Sequence, residues 1–485
     1  MRVQRTALLC LIATLAFASV DDAVAQKMFS RGPSANVGPG APMGPTGGGG
    51  PRGPGWGGIV PGIIMAVPRG YPANGPVIDD GQSGPRRSQQ ANRRSTTGAP
   101  PANERRLVPD EVVIELPNSV SAQQIEALQR RFRLTRIESQ TFQLSNTTLY
   151  RWQIPDRRSV ALQRTHNCGD RLIASAQPNY LFTLQASDAG SEGDPAQYEL
   201  AKLRLPQAHA LAKGKNILVA VIDSAIDVNH PELAGSVAES FDTLTTPKVP
   251  NQHGTAIAGL IAAHGKLMGA APNAKILAVR TFDPAGSAAE GTTFNVLKGI
   301  DWAATRGARV INMSFAGPPD PAVHRALEAA YKKGIVLVAA AGNAGEKSPP
   351  LYPAADPNVI AVSATDANDK LFEQSSRGRH ITVAAPGAQI LVAIPDNSYE
   401  TSSGTSYSAA AVSGIVALML QRKADLTPDQ VRNILRTTAR DLGPKGPDIM
   451  FGAGLADAYG ALMLEIVPPT AAGTQPIERV STGGR

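Results

Sequence analysis

Cysteine is all but missing from this chain: 485 residues carry two, Cys10 and Cys168. Cys10 lies in an N-terminal apolar run, and loss of that run would leave a single thiol. One thiol excludes an intramolecular disulfide, so stability has to come from a buried core, for which 42% hydrophobic content is ample. The apolar run itself, Ala7 to Val20, is short for a bilayer crossing of about 20 residues. Arg2 and Arg5 precede it and the small-x-small pattern Ala23-Val24-Ala25 follows, so residues 1–25 read as a secretory signal peptide cut after Ala25. An uncleaved anchor is the alternative, because Asp21 and Asp22 lie close to the cut. The expected destination is export, periplasmic or extracellular.

A basic folded surface is also lacking. The net charge of +7 belongs to residues 27–106, where ten Lys and Arg face three acidic residues, so residues 107–485 are neutral overall. That excludes nucleic acid as an expected partner of the folded part. Residues 26–106 hold much of the excess Gly and Pro, including Gly47-Gly48-Gly49-Gly50, and lack amphipathic periodicity. They are read as a disordered segment, interrupted by an apolar island from Trp56 to Tyr71, and their arginine pairs suit an anionic envelope surface.

Periodic texture begins at Leu107. Residues 107–187 read as strand (Glu111–Leu116), helix from Ser121 with Ile125, Leu128 and Phe132 on one face, strands Leu134–Phe142 and Thr148–Ile154, helix Arg158–Thr165, and a last strand Leu172–Gln185. This is the β-α-β-β-α-β order of a small α+β ferredoxin-like domain. Residues 188–197 are a polar loop open to proteolysis. In residues 198–466 apolar strands alternate with helices, at 216–223, 275–280, 308–314, 335–340 and 358–363 for the strands, with helices from His253, at 292–306, 320–333 and 405–421. The fold class is therefore α/β, a largely parallel doubly wound sheet, with sites expected beyond the C-terminal ends of its strands. Residues 467–485 form a loose Pro/Gly/Thr-rich tail.

Three stretches carry chemistry. Gly404-Thr405-Ser406 opens an apolar helix, which sets Ser406 among unpaired backbone N–H groups at the positive end of a helix dipole. Alone, that is an N-capping serine. A nucleophilic serine needs a base and a group to orient the base. The strand Asn216–Asp223 delivers a carboxylate at its C-terminal edge, and His253-Gly254-Thr255 sets an imidazole at a helix start.

Asp223-Ser224-Ala225-Ile226-Asp227, His253-Gly254-Thr255 and Gly404-Thr405-Ser406 resemble, in order and spacing, the three signature blocks of the subtilisin-like serine proteases. The resemblance covers about Tyr198 to Leu464, with Gly269–Ile276, Val310–Ser314, Val338–Asn343 and Tyr352-Pro353-Ala354 between the blocks. It departs at Ala225, Ala256 and Ala410, where the family usually has Gly, His and Pro; no catalytic atom is lost. It implies a serine endopeptidase acting on polypeptides, with Asp223, His253 and Ser406 as triad and Asn343 as oxyanion donor beside the Ser406 N–H. It also implies that Ser314, Phe315, Ala316 and Gly317 pair with an extended substrate, opposite Ala340, Ala341 and Gly342, with a preference for a small or apolar residue before the scissile bond. The Tyr352–Pro353 bond is expected cis. Residues 107–187 resemble the propeptides of the family, so the chain's own propeptide-like domain is an expected partner and a self-processing zymogen the expected product; an accessory domain that stays attached is the alternative. Calcium commonly stabilises the family, but no ligand set maps onto this chain, so no metal or cofactor is expected. Asp227 and His230 read as structural loop residues. An α/β-hydrolase esterase is disfavoured by the order of Asp, His and Ser and by Ser408 where Gly-x-Ser-x-Gly requires glycine; a non-catalytic envelope binding module is the other rival.

Overall fold

The computed structural model describes residues 104–155, 172–184, 197–283 and 290–464. The signal peptide, the Gly/Pro-rich segment, the helix expected at Arg158–Thr165, Cys168, nearly all of the loop at 188–197 and the C-terminal tail lie outside the described residues.

The N-terminal unit contains β1 (Leu107–Pro117), α1 (Ala122–Phe132), β2 (Thr135–Phe142), β3 (Thr147–Gln153) and β4 (Ser175–Leu184). Helix α1 starts where Ser121 and Gln124 exchange side-chain and backbone hydrogen bonds in a capping box, and it stops at Arg133 in a left-handed conformation with φ 52°. The strands are antiparallel in the order β4-β1-β3-β2, the order expected of a split β-α-β-β-α-β unit. Alternation along β1 divides its side chains between two cores. Val112, Ile114 and Leu116 pack with Leu128 and Phe132 of α1, whereas Val113 joins Tyr180 and Phe182 on the opposite face.

The larger unit begins with two short helices, α2 (Tyr198–Lys202) and α3 (Leu205–His209). Then come β5 (Leu218–Asp223), β6 (Val237–Asp242), α4 (Gln252–Ala262), β7 (Lys275–Arg280), β8 (Glu290–Thr292), α5 (Thr293–Thr305), β9 (Val310–Met313) and β10 (Phe315–Ala316). The remainder is α6 (Pro321–Lys332), β11 (Val336–Ala340), β12 (Val359–Thr365), β13 (Ile381–Pro386), the hairpin β14 (Ile390–Ile394) and β15 (Ser398–Ser402), α7 (Thr405–Arg422), α8 (Pro428–Thr438) and α9 (Ala458–Met463). Among the described residues seven strands form one wholly parallel sheet, β13-β12-β11-β9-β5-β7-β6.

Every residue of β9, β11, β12 and β13 is buried, which is why these strands read as unbroken apolar runs rather than alternating ones. Side chains of α4, α7 and α8 fill the core on one face of the sheet, and those of α5 and α6 fill the other. The second core also contains Val113, Phe142, Leu149, Tyr180 and Phe182, so the free face of the N-terminal sheet is covered by α5 and α6. No helix among the described residues is long and apolar enough to cross a membrane. The Tyr352–Pro353 peptide is cis.

Candidate active site

Parallel strands set the site at one end of the sheet. Asp223 is the last residue of β5, Ser314 follows β9, and Asn343 lies shortly beyond β11. Asp223 is fully buried, and its Oδ1 accepts from Ser224 N at 2.7 Å, Ser224 Oγ at 3.0 Å and His253 Nδ1 at 2.8 Å, while Oδ2 lies 3.0 Å from the same Nδ1. A carboxylate with several donors can be buried ionised, and contact at Nδ1 fixes the proton there and leaves Nε2 as the basic nitrogen.

Two local devices bring the imidazole to that carboxylate. Asn251 caps α4 by accepting from His253 N at 3.0 Å. Gly254 then permits the helix to press against the end of β5: a Cβ there would lie 2.6 Å from the Ser224 carbonyl oxygen. His253 is 6% exposed, and its Nε2 is buried with no hydrogen-bond partner among the described residues. Its ring centroid is 6.3 Å from that of Tyr407, so the imidazole lies beside the first turn of α7, where Ser406 is the second residue.

Ser406 and Ser314 hold each other. The Ser406 hydroxyl donates to the Ser314 carbonyl at 3.1 Å, and the Ser314 hydroxyl donates to the Ser406 carbonyl at 3.2 Å or to Asn312 Oδ1 at 3.0 Å. Asn343 Oδ1 accepts from Thr405 N at 3.0 Å and Thr405 Oγ1 at 2.9 Å. Since both of those groups donate, the amide orientation is determined, and its NH2 arm is turned away from Thr405. The structure therefore joins Asp223 to His253 directly and Asn343 to the residue preceding Ser406.

The expected binding segment is occupied by the chain itself. Phe315 pairs with Leu184 and Ala316 with Thr183, antiparallel, and β8 pairs with the other edge of β4. Gly317 exchanges backbone hydrogen bonds with Tyr352, and a Cβ on it would collide with the Phe182 ring. Ser314, Ala340 and Ala341 are wholly buried, and Gly342, at φ 106°, donates its N–H to Thr405 Oγ1 at 3.1 Å.

Ala225, Ala256 and Ala410 all sit in the core, where a methyl group leaves no polar atom unsatisfied. Asp227 and His230 serve their loop: Asp227 Oδ1 accepts from Asn229 N and His230 Nδ1 from Glu232 N. Sequence reasoning missed Ser224, Asn251 and Thr405, which orient the residues it found. Their only signal was adjacency to Asp223, His253 and Ser406. No cluster of three or more His, Cys, Asp or Glu side chains that could hold a metal occurs among the described residues.

A buried carboxylate and imidazole at the C-terminal edge of a parallel sheet, beside a serine on a helix N-terminus, defines a serine hydrolase of the α/β class. Comparison with known proteins narrows this. The profile of the Subtilase family matches residues 214–454. Thermitase of Thermoactinomyces vulgaris is 38% identical over 274 residues, which are 55% of this chain and 95% of thermitase. Subtilisin DY of Bacillus licheniformis is 38% identical over 259 residues, 51% of this chain and 92% of the relative. Among solved structures, fervidolysin of Fervidobacterium pennivorans, described as a keratinolytic enzyme related to subtilisin, aligns with a TM-score of 0.65 and 25% identity over 76% of this chain and 63% of that one. The chain belongs to the subtilase family and is a serine-type endopeptidase, with polypeptides as its substrates.

Proposed function

We propose that Asp223, His253 and Ser406 are the catalytic triad of this peptidase. The 2.8 Å contact between Asp223 and His253 Nδ1 carries the reading, because it leaves Nε2 as the acceptor beside the serine helix. Rotation of the Ser406 hydroxyl from the Ser314 carbonyl towards Nε2 would let His253 take its proton as Oγ attacks a peptide carbonyl. The same proton would then pass to the leaving amine, and Asp223 would stabilise the imidazolium. Asn343 and the Ser406 N–H would receive the developing oxyanion; loss of one such donor costs roughly 10²–10³ in rate.

An organophosphate-type serine reagent tests this directly. It should label Ser406 stoichiometrically and abolish peptide cleavage, with no labelling in Ser406→Ala. Cleavage that survives in Ser406→Ala would refute the assignment.

Residues 107–187 act in this reading as a propeptide, and the protein is an exported zymogen, periplasmic or extracellular. Support comes from β4, which lies antiparallel along Phe315–Ala316 as an extended substrate would and heads into the loop that ends at Gln197. The pocket for the residue before the scissile bond would lie between Ser314–Gly317 and Ala340–Gly342, none of which is acidic, and would favour small or apolar residues. The basic segment 26–106 would touch the anionic envelope surface.

A further inference from the structure

At the opposite end of the main sheet from Asp223, the N-terminal ends of β12 and β13 and one side of α8 line an open cavity of about 480 Å3, with Arg379 and Arg436 exposed at its rim. That volume falls within the range usual for small-molecule sites. Its charged lining is uneven. Arg432 and Arg436 project from successive turns of α8, and Arg379 comes from the loop before β13. Like charges four residues apart on a helix repel, yet none of the three guanidinium groups has an ion pair or side-chain hydrogen bond with any described residue. Arg432 Nε is shut off from solvent without a partner, as is His380 Nε2 on the same wall.

Two carboxylates face the cavity, and both are largely committed elsewhere. Asp356 accepts from His324 Nδ1 at 2.6 Å and from Asn358 N and Nδ2. Asp448 Oδ1 accepts from the N–H groups of Met450 and Phe451, and its Oδ2 is buried without a partner. A buried N–H donor without an acceptor is costly, and guanidinium forks match tetrahedral oxyanions in geometry as well as charge.

We propose that this cavity is a binding site for a small, multiply charged oxyanion of the phosphate class, bound by Arg379, Arg432 and Arg436. Three guanidinium groups outnumber the carboxylates of Asp356 and Asp448, so the lining stays net positive, and the volume exceeds what a single phosphate fills. A di- or oligophosphate group suits both. Burial holds His380 below the ordinary histidine value, so at neutral pH its ring is uncharged and offers one further hydrogen bond. Because the cavity lies at the far end of the strands from the catalytic residues, the ligand would clamp α8 to the β12–β13 edge and leave turnover unchanged.

Titration calorimetry of the full-length protein with pyrophosphate, at constant ionic strength, tests the site. Saturable 1:1 binding and a raised thermal midpoint are expected, with citrate, the polycarboxylate comparison, binding more weakly. The double variant R432Q/R436Q should lose affinity by about tenfold or more per guanidinium removed and keep full peptidase activity. Should that variant unfold, Arg379→Gln, on an exposed loop, carries the same expectation. No saturation at millimolar pyrophosphate, equal affinity in the variants, or binding of citrate but not pyrophosphate would each overturn the assignment.

Discussion

Leu184 and Phe315 are antiparallel neighbours, and the residue before Phe315, Ser314, accepts the hydroxyl hydrogen of Ser406 through its carbonyl. The end of the N-terminal unit thus lies along the segment that contacts Ser406. In the proposed zymogen, the chain beyond Leu184 would be an intramolecular substrate at high effective concentration. The wild-type protein should mature to a form that begins near Asp188–Tyr198, whereas Ser406→Ala should accumulate with residues 107–187 still attached. N-terminal sequencing decides it: an active species beginning upstream of Leu107 would make the unit an accessory domain.

The Asp223 carboxylate sets the tautomer of His253, and the substitution Asp223→Asn tests that role. An Asn would turn its Oδ1 to the Ser224 donors and an NH2 to the imidazole, so Nδ1 would become the acceptor and Nε2 would carry the proton. The kcat should fall by roughly 10⁴ with little change in KM, since the wrong nitrogen then faces the serine. For the parent protein, kcat/KM should rise with pH, since a general base accepts a proton only in its neutral form. A profile flat from pH 5 to 8 would exclude His253 as base.

How much of this was legible beforehand depended on whether a feature is local. Buried strands such as β11 and β12 announce themselves as apolar runs, and the three signature blocks single out Asp223 and His253, which the structure joins, and Ser406. Strand β6 escaped because it is an edge strand, Val-Ala-Glu-Ser-Phe-Asp, with no fully buried side chain and no alternation to read. Helix α8 carries a capping box between Thr427 and Gln430 and was legible in principle. Ser224, Asn251 and Thr405 could not be picked out, since orienting a catalytic group is a matter of three-dimensional contact, not residue type.

Glu199, in the first turn of α2, is 3% exposed, and burial pushes its carboxyl up to about 7, although a hydrogen bond from Gln197 Nε2 at 3.1 Å favours the ionised form. A carboxyl raised in the folded state binds its proton more tightly there than in the unfolded chain. Its protonated form is therefore tolerated below the ordinary value near 4.5, and stability is lost as pH rises from there through about 7. The loss amounts to about 3 kcal/mol. Glu199→Gln should raise the thermal midpoint at pH 8 and leave it nearly unchanged at pH 4; an equal effect at both would show that the carboxyl is not the cause.

The grip of residues 107–184 on the rest of the enzyme should loosen as pH rises. Gln177 Oε1 accepts from Ala322 N at 3.0 Å and its Nε2 donates to Asp320 Oδ1 at 2.7 Å, while Asn179 Oδ1 accepts from Phe294 N and Tyr180 N donates to Thr293 Oγ1. Strand β4 thereby adds partners at the N-termini of α5 and α6, beside the side chains of Thr292 and Asp320 that cap them. The docked unit also buries carboxylates. Burial pushes Asp320 above its ordinary value against the hydrogen bonds from Thr293 and Gln177, and it does the same to Asp301, which accepts from Leu144 N at 2.7 Å. Release would return both groups to water and to lower values, so docking is accompanied by proton uptake. Affinity is then highest below the ordinary carboxylate range and falls as pH rises through the raised values. Inhibition of the processed enzyme by an added 107–187 fragment should weaken as pH rises above the ordinary carboxylate range, and Asp320→Asn, which can still cap α6, should flatten that dependence. Gln177→Ala should weaken inhibition about 10- to 100-fold at every pH, as expected when a buried hydrogen-bonding partner is removed. Inhibition that tightens with pH, or a slope unchanged by Asp320→Asn, would show that these carboxylates do not govern the release.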